Sequence, residues 1–176
     1  KIYGGAILNR LNVHLEDANS RKNVNSKEKQ KIAQMAYDLI EPNMTVFLDI
    51  STTNIELAKL LVLRPISGIT VVTNMLDVIQ ILSTSQIHSI FIGGEFDYAR
   101  NGFVGNMCDE FLQRFHFDLA FLGVVGIDLE SKSVMTYMPN DGQTKRIVLK
   151  QSKKAYMLAD SDKFYQMGNY EYAKVD

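Results

Sequence analysis

The chain has 176 residues, of which 46% are hydrophobic and 22% charged, the balance of one globular domain around a single core. A net charge of -1 leaves no broad basic field, so this stretch alone is not expected to hold DNA, whose binding draws on Lys and Arg neutralising phosphates. The lone Cys108 excludes an internal disulfide, and no apolar run reaches the length of a bilayer span; with no signal peptide, a cytoplasmic setting without a membrane partner is expected.

The first clear element begins after Asn25. The polar segment Asn25 to Lys31 opens a helix in which Ile32, Met35, Ala36, Leu39 and Ile40 form the apolar stripe, with Pro42 as its stop. Thr45 to Asp49 reads as a strand, followed by a helix starting within Ser51-Thr52-Thr53. The pattern repeats with a strand from Ile69 to Thr73, Asn74 as a cap, and a helix burying Met75, Val78, Ile79 and Leu82. Ser89 to Ile92 is the next strand, broken by Gly93-Gly94. A polar, Gly-bearing stretch from Glu95 to Gly105 precedes a helix whose buried face is expected to carry Cys108, Phe111, Leu112 and Phe115. Asp118 to Leu122 reads as a buried strand. Val124 to Ile127 and Ser133 to Met138 flank a polar turn and read as a hairpin at a sheet edge. A helix from about Gly142 to Gln151 and a strand from Ala155 to Ala159 follow, with Lys153-Lys154 as an exposed turn between them. The aromatic tail from Tyr165 has no clear period.

Short apolar strands alternating with helices predict an α/β fold, a mostly parallel sheet with helices on both faces. Ligands of such sheets lie beyond the carboxyl ends of the strands. The residues found there are Asp49, Thr73-Asn74, Gly93-Gly94, Gly123 and Asp160, a convergence of polar side chains and glycines that suits a polar ligand.

The most specific local feature is Asp49-Ile50-Ser51-Thr52-Thr53-Asn54, where a strand turns directly into a helix. The helix N-terminus favours an anion, and the hydroxyls of Ser51, Thr52 and Thr53 add donors, so the turn can cradle a phosphate; Ser51 or Thr52 can equally cap the helix. Asp49 can accept from sugar hydroxyls, bind a metal or act as a nucleophile. The last fares worst, because Ser51 stands where a phosphatase Asp-x-Asp motif needs its second carboxylate. His14, His88 and His116 lack metal-ligand spacing. Cys108 belongs to an apolar helix face, and Gly102-Phe103-Val104-Gly105 and Gly123-Val124-Val125-Gly126 do not match the dinucleotide fingerprint, so no cofactor is implied. Lys145 and Lys163 lie toward the carboxyl end of the chain, Lys163 just after a strand end, and each is either a ligand for an anion or a solvated surface lysine.

Taken in order, the motifs resemble the effector-binding domain of the DeoR family of bacterial transcriptional repressors. They are Tyr3-Gly4-Gly5-Ala6, Glu28-Lys29 with Ile32-Ala33 and Ala36, Phe47-Leu48-Asp49, Ser51-Thr52-Thr53, Val71-Val72-Thr73-Asn74, Gly93-Gly94, Gly105, Asp118 to Gly123, Gly126-Ile127-Asp128, Lys145-Arg146, and Ala159-Asp160 with Lys163-Phe164. The resemblance covers nearly the whole chain. It implies a fold like that of ribose-5-phosphate isomerase and CoA transferases, and a phosphorylated sugar as inducer. It also implies a homo-oligomer, with an N-terminal winged helix-turn-helix preceding Lys1 that would contact operator DNA. The missing initiator Met fits a piece of a longer protein. By that likeness Ser51, Thr52 and Thr53 hold the phosphate, while Asp49, Asn74, Asp128, Lys145 and Lys163 surround the sugar, with Lys29 placed by Glu28-Lys29 in the first helix; the strand-end reading adds Thr73, Gly93 and Gly94 to the sugar site and Lys163 to the phosphate.

Two departures stand out. The family pattern Asp-Ser-Gly-Thr-Thr is replaced by Asp49-Ile50-Ser51-Thr52-Thr53, and Asp141 stands where the family tends to place Glu. A β-branched Ile50 narrows the turn and loss of Gly restricts its backbone, which alters ligand choice. The rival readings are a sugar-phosphate isomerase and an oligomerisation module with an empty pocket. The first is weakened because Leu122-Gly123-Val124-Val125 is apolar where the isomerase carries carboxylates, so no enzymatic activity is expected.

Overall fold

The computed structural model describes residues 11–12 and 18–175. His14 and the Tyr3-Gly4-Gly5-Ala6 motif lie outside the described residues. The central sheet is built from β2 (Thr45–Leu48), β3 (Thr70–Thr73), β4 (His88–Phe91), β7 (Phe117–Gly123) and β10 (Ser152–Leu158), in the spatial order β10-β7-β2-β3-β4 with every pairing parallel. Because strand side chains alternate, the sheet feeds two cores. Val46, Leu48, Val71, Leu119 and Phe121 face one, with α2 (Ser26–Tyr37), α3 (Thr52–Leu63) and α4 (Leu76–Leu82). Phe47, Val72, Ala120 and Leu122 face the other, with α5 (Asn106–Leu112) and α6 (Pro139–Gln151). Helices thus cover both faces, as the strand composition predicts.

Several elements differ from their sequence patterns. In α2 the buried face carries Lys29, Ala33 and Ala36 and continues into Ile40, while Met35 and Leu39 are exposed. Small alanines let α2 lie close on α3, which rotates the helix away from its larger apolar residues and takes Lys29 inside. In α5 the buried residues are Cys108, Asp109 and Leu112, and Phe111 is exposed, because Asp109 turns inward to accept from the Thr144 hydroxyl at 2.6 Å. Asn74 does not cap α4. Met75 takes that position, the Thr73 hydroxyl accepts from Met75 N–H at 3.1 Å, and Asn74 is drawn elsewhere.

The stretch from Glu95 to Gly105, which showed no pattern, holds a hairpin of β5 (Glu95–Asp97) and β6 (Gly102–Val104). Asn74 clamps it through its own carbonyl, which accepts from Phe103 N–H at 2.8 Å, and its side-chain amide, which donates to Phe103 C=O at 2.8 Å. The predicted hairpin at residues 124–138 is not an edge of the main sheet. Its strands β8 (Gly126–Asp128) and β9 (Ser133–Thr136) join β12 (Tyr170–Lys174) in a separate antiparallel sheet of order β12-β9-β8. The tail therefore supplies a strand; its burial differs from residue to residue, with Tyr172 buried and its hydroxyl donating to Gly123 C=O at 3.0 Å. Lys153-Lys154 lie inside β10 rather than in a turn. Before the core, β1 (Leu11–Asn12) pairs in parallel with β11 (Gln166–Met167), and α1 (Ala18–Arg21) leads into α2.

Cys108 is fully buried, and burial, with the nearby Asp109 carboxylate adding to it, pushes its thiol up to about 12. In the folded state it is therefore a packing group, and thiol-reagent labelling at pH 8 should run at least roughly a thousandfold slower than in denatured protein, since only transiently opened molecules react. A raised folded-state value contributes stability that is complete below the unfolded value near 9 and is lost as pH rises through the folded one. Denaturant melts should show stability falling above about pH 9, with Cys108→Ala removing about 2 kcal/mol of that decline by pH 10.5. An unchanged slope in the variant would count against this assignment.

Candidate functional site

The strand order reverses its direction of growth between β2 and β7, since β3 and β4 follow β2 on one side while β10 follows β7 on the other. At such a switch point the connections diverge and leave a crevice beyond the strand ends. Here the two ends are tied together. Asp49, just past β2, accepts from Gly123 N–H at the end of β7 at 2.9 Å. The Asn54 amide donates to Asp49 C=O and Phe121 C=O, both at 2.9 Å. A Cβ on Gly123 would lie 2.8 Å from Ser51 Cβ and 2.9 Å from Ile50 C=O, so glycine is what allows the β2–α3 turn to approach β7.

Beneath the crevice lies a buried charge cluster. Lys145, on α6, is bonded to Asp49 and lies 3.2 Å from Asp141. All three residues are 2% exposed or less. Asp141 also accepts from the Thr136 hydroxyl. Burial works to lower the Lys145 value, but the Asp141 and Asp49 carboxylates outweigh it and hold the ammonium charged. One cation serves two carboxylates, and burial pushes the Asp49 carboxyl upward against the pull of Lys145.

Above this cluster a cleft opens. Ser51, Thr52 and Thr53 line it, with Ser51 as the N-cap of α3 accepting from Thr53 N–H at 3.2 Å. Ser51 thus caps the helix, and the same turn faces the cleft. Five cationic side chains, Arg21, Lys29, Arg100, Lys145 and Lys163, line the cleft against the three carboxylates of Asp141, Asp160 and Asp162. Lys29 is 4% exposed and donates to Arg21 C=O at 2.5 Å; burial lowers its pKa, with Asp160 opposing. Lys163 donates to the Gln166 side chain at 2.9 Å. Asp160 is buried, and its Oδ1 has no hydrogen-bond partner among the described residues.

The site residues expected from sequence thus divide. Ser51, Thr52, Thr53, Lys163, Lys145 and Lys29 come together in the cleft wall, and Asp49 lies under it. Thr73 and Asn74 are buried beyond the neighbouring strand end. The Thr73 hydroxyl donates to Leu48 C=O at 2.7 Å, and Asn74 holds the hairpin. Gly93 and Gly94 lie outside the cleft wall, after β4, and Asp128 accepts from Glu130 N–H at 3.0 Å in the β8–β9 turn. Arg21, Arg100, Tyr137 and Gln166 line the cleft without a sequence signal: Arg21, Arg100 and Gln166 come from segments that showed no pattern, and Tyr137, within the stretch read as a hairpin strand, carries no charge or motif to mark it. Among the described residues no cluster of His, Cys, Asp and Glu is arranged to hold a metal ion, and no helix is long and apolar enough to cross a membrane.

Residues 24–176 match the DeoR C-terminal sensor domain. The chain belongs to this family. Relatives of the DeoR sensor chain include the HTH-type transcriptional repressor GlcR of Bacillus subtilis, 32% identical over 98% of this chain and 66% of that protein. The lactose phosphotransferase system repressor of Lactococcus lactis is 33% identical over 93% and 64%, and the L-fucose operon activator of Haemophilus influenzae 31% identical over 93% and 65%. The chain therefore spans just under two thirds of these relatives. In fold it is similar to ribose 5-phosphate isomerase A from Methanocaldococcus jannaschii, with a TM-score of 0.58 and 16% identity over 80% of this chain and 55% of that one. It is also similar to translation initiation factor eIF-2B from Pyrococcus horikoshii, with a TM-score of 0.59 and 16% identity over 82% and 50%.

Removing the shared ammonium leaves two buried carboxylates facing each other. Lys145→Met should cost about 3–5 kcal/mol in urea denaturation at neutral pH, and part of the loss should return on acidification as one carboxyl takes a proton. A variant as stable as the parent would show the cluster to be energetically idle.

Proposed function

We propose that this chain is the ligand-sensing part of a DeoR-type transcriptional regulator of carbohydrate metabolism, most simply a repressor, and that its cleft takes a phosphorylated sugar. The observation that carries this reading is the N-terminus of α3, whose Ser51, Thr52 and Thr53 open into a cleft also lined by Arg21, Lys29 and Lys163. Helix N-terminus, hydroxyls and ammonium groups together favour a phosphate dianion. The unpartnered Asp160 oxygen and the carboxylate of Asp141 supply acceptors for sugar hydroxyls. Thr73, Asn74, Gly93, Gly94 and Asp128, outside the cleft wall, act at most by shaping it.

Operator DNA would be bound by a winged helix-turn-helix preceding this chain, and the regulator would work as a homo-oligomer. The relatives bear the names of regulators rather than enzymes, which supports a non-enzymatic reading. A ligand regulates only by preferring one arrangement of the protein over another.

The test is a thermal-shift panel of sugar phosphates, the matching free sugars and inorganic phosphate, since a ligand of the folded state raises the melting temperature. We expect a shift from a small number of sugar phosphates and none from the free sugars. In a folded Thr52→Val/Lys163→Met variant, affinity should fall at least roughly tenfold, as charge-assisted hydrogen bonds are lost. Shifts that follow the free sugars equally, or survive in the variant, would place the anion elsewhere.

A further inference from the structure

Arg100 lies in the turn between β5 and β6 and lines the cleft, although no strand end or motif points to it. Its placement is over-determined. Arg100 N–H donates to an Asp97 carboxylate oxygen at 3.2 Å, and the buried Tyr137 donates its hydroxyl to the other oxygen at 2.7 Å. The Arg100 guanidinium lies over the Tyr137 ring, 3.0 Å from its centroid. Stacked this way, the flat fork keeps its charge and its remaining donors while losing rotamer freedom. Its Nε is buried and has no hydrogen-bond partner among the described residues, and none of the ion pairs there engages it.

Strand order sets this group apart from Lys163. The hairpin carrying Arg100 is clamped to the end of β3 through Asn74, and Met75 bridges to Gly102. Lys163 instead follows β10, three inter-strand spacings away, or roughly 14 Å at the strand level. The α3 N-terminus, after β2, lies between them. Gly102 also packs on Ile50, so close that an added Cβ would lie 2.4 Å from Ile50 Cδ1. Ile50, the residue that departs from the family pattern, is therefore the floor on which the Arg100 turn rests.

We infer that Arg100 is a second anion anchor, and that the ligand carries two acidic groups, a phosphate toward α3 and Lys163 and a second phosphate or a carboxylate toward Arg100. This rests on the reading of the cleft as a phosphorylated-sugar site and names a narrower ligand class for it. A guanidinium fork matches carboxylate and phosphate alike, so the two sources are separated by the choice of probe.

The experiment is calorimetric titration of the chain with paired probes: glucose 6-phosphate against 6-phosphogluconate, and fructose 6-phosphate against fructose 1,6-bisphosphate. In at least one pair the doubly acidic member should bind ten times more tightly or better. Arg100→Gln should bring that ratio close to one while leaving the monophosphate affinity within about twofold. If Arg100→Gln unfolds, Arg100→Lys, which keeps a cation without the flat stack, should retain monophosphate binding and lose part of the ratio. A ratio near one in the parent, or one that survives in Arg100→Gln, overturns the second anchor and leaves the phosphate site standing. Equal loss of both members of a pair means that Arg100 shares the single phosphate, which also overturns it. Binding by none of the four probes counts against the second anchor and the phosphorylated-ligand reading together.

Discussion

One ammonium group, that of Lys145, is shared by two buried carboxylates that arrive from different parts of the chain, Asp49 from the end of β2 and Asp141 from the first turn of α6. Through Asp49 the cluster reaches Gly123 at the end of β7, and through Asp141 it reaches Thr136 at the end of β9. Two sheets and the helix between them are thus held to a common point. An ion pair so deeply buried gains little over an apolar substitute, because desolvation takes back most of the attraction. What it provides is position, since none of the three groups can move without stranding another. The cleft above it inherits a fixed floor.

On that floor the α/β topology does the rest. The chain reverses its direction of growth between β2 and β7, and the turn from β2 into α3 brings a helix N-terminus to the same place. The second, antiparallel sheet and the β5–β6 hairpin then supply walls that a simple parallel sheet lacks. Those walls carry Tyr137 and Arg100, and the loop after β10 carries Asp160 and Lys163. Catalysis is not required for such a site to discriminate among ligands; placed charges and a rigid floor suffice.

Much of this was legible in the sequence, and the exceptions share a cause. The inner strands β2, β3 and β7 are short apolar runs, and Asp49 with Ser51 to Thr53 stood out because polar residues directly follow such a run. Lys29 could be placed in the site only by family likeness, because the small residues Ala33 and Ala36, not the larger Met35 and Leu39, decide which face of α2 is inside. The same tertiary override turned Asp109 inward and Phe111 outward. Arg100 and Tyr137 left no trace, since their positions follow from Asn74 clamping one hairpin and from β12 pairing with β9 far along the chain. Asn74 read as a helix cap because a polar residue after a strand usually is one; here its amide met a passing backbone first.

The turn between α1 and α2 has a consequence of a different kind. Arg21, Val24 and Asn25 are part of the cleft wall, and Asn25 holds a left-handed backbone while its amide donates to Asp162 at 2.7 Å. Glu28, one turn further on, accepts from Ser161 N–H and hydroxyl. The turn that leads into α2 is therefore latched to the loop that holds Asp160 and Lys163. A displacement of either segment is felt by the other through these bonds, and such coupling is reciprocal.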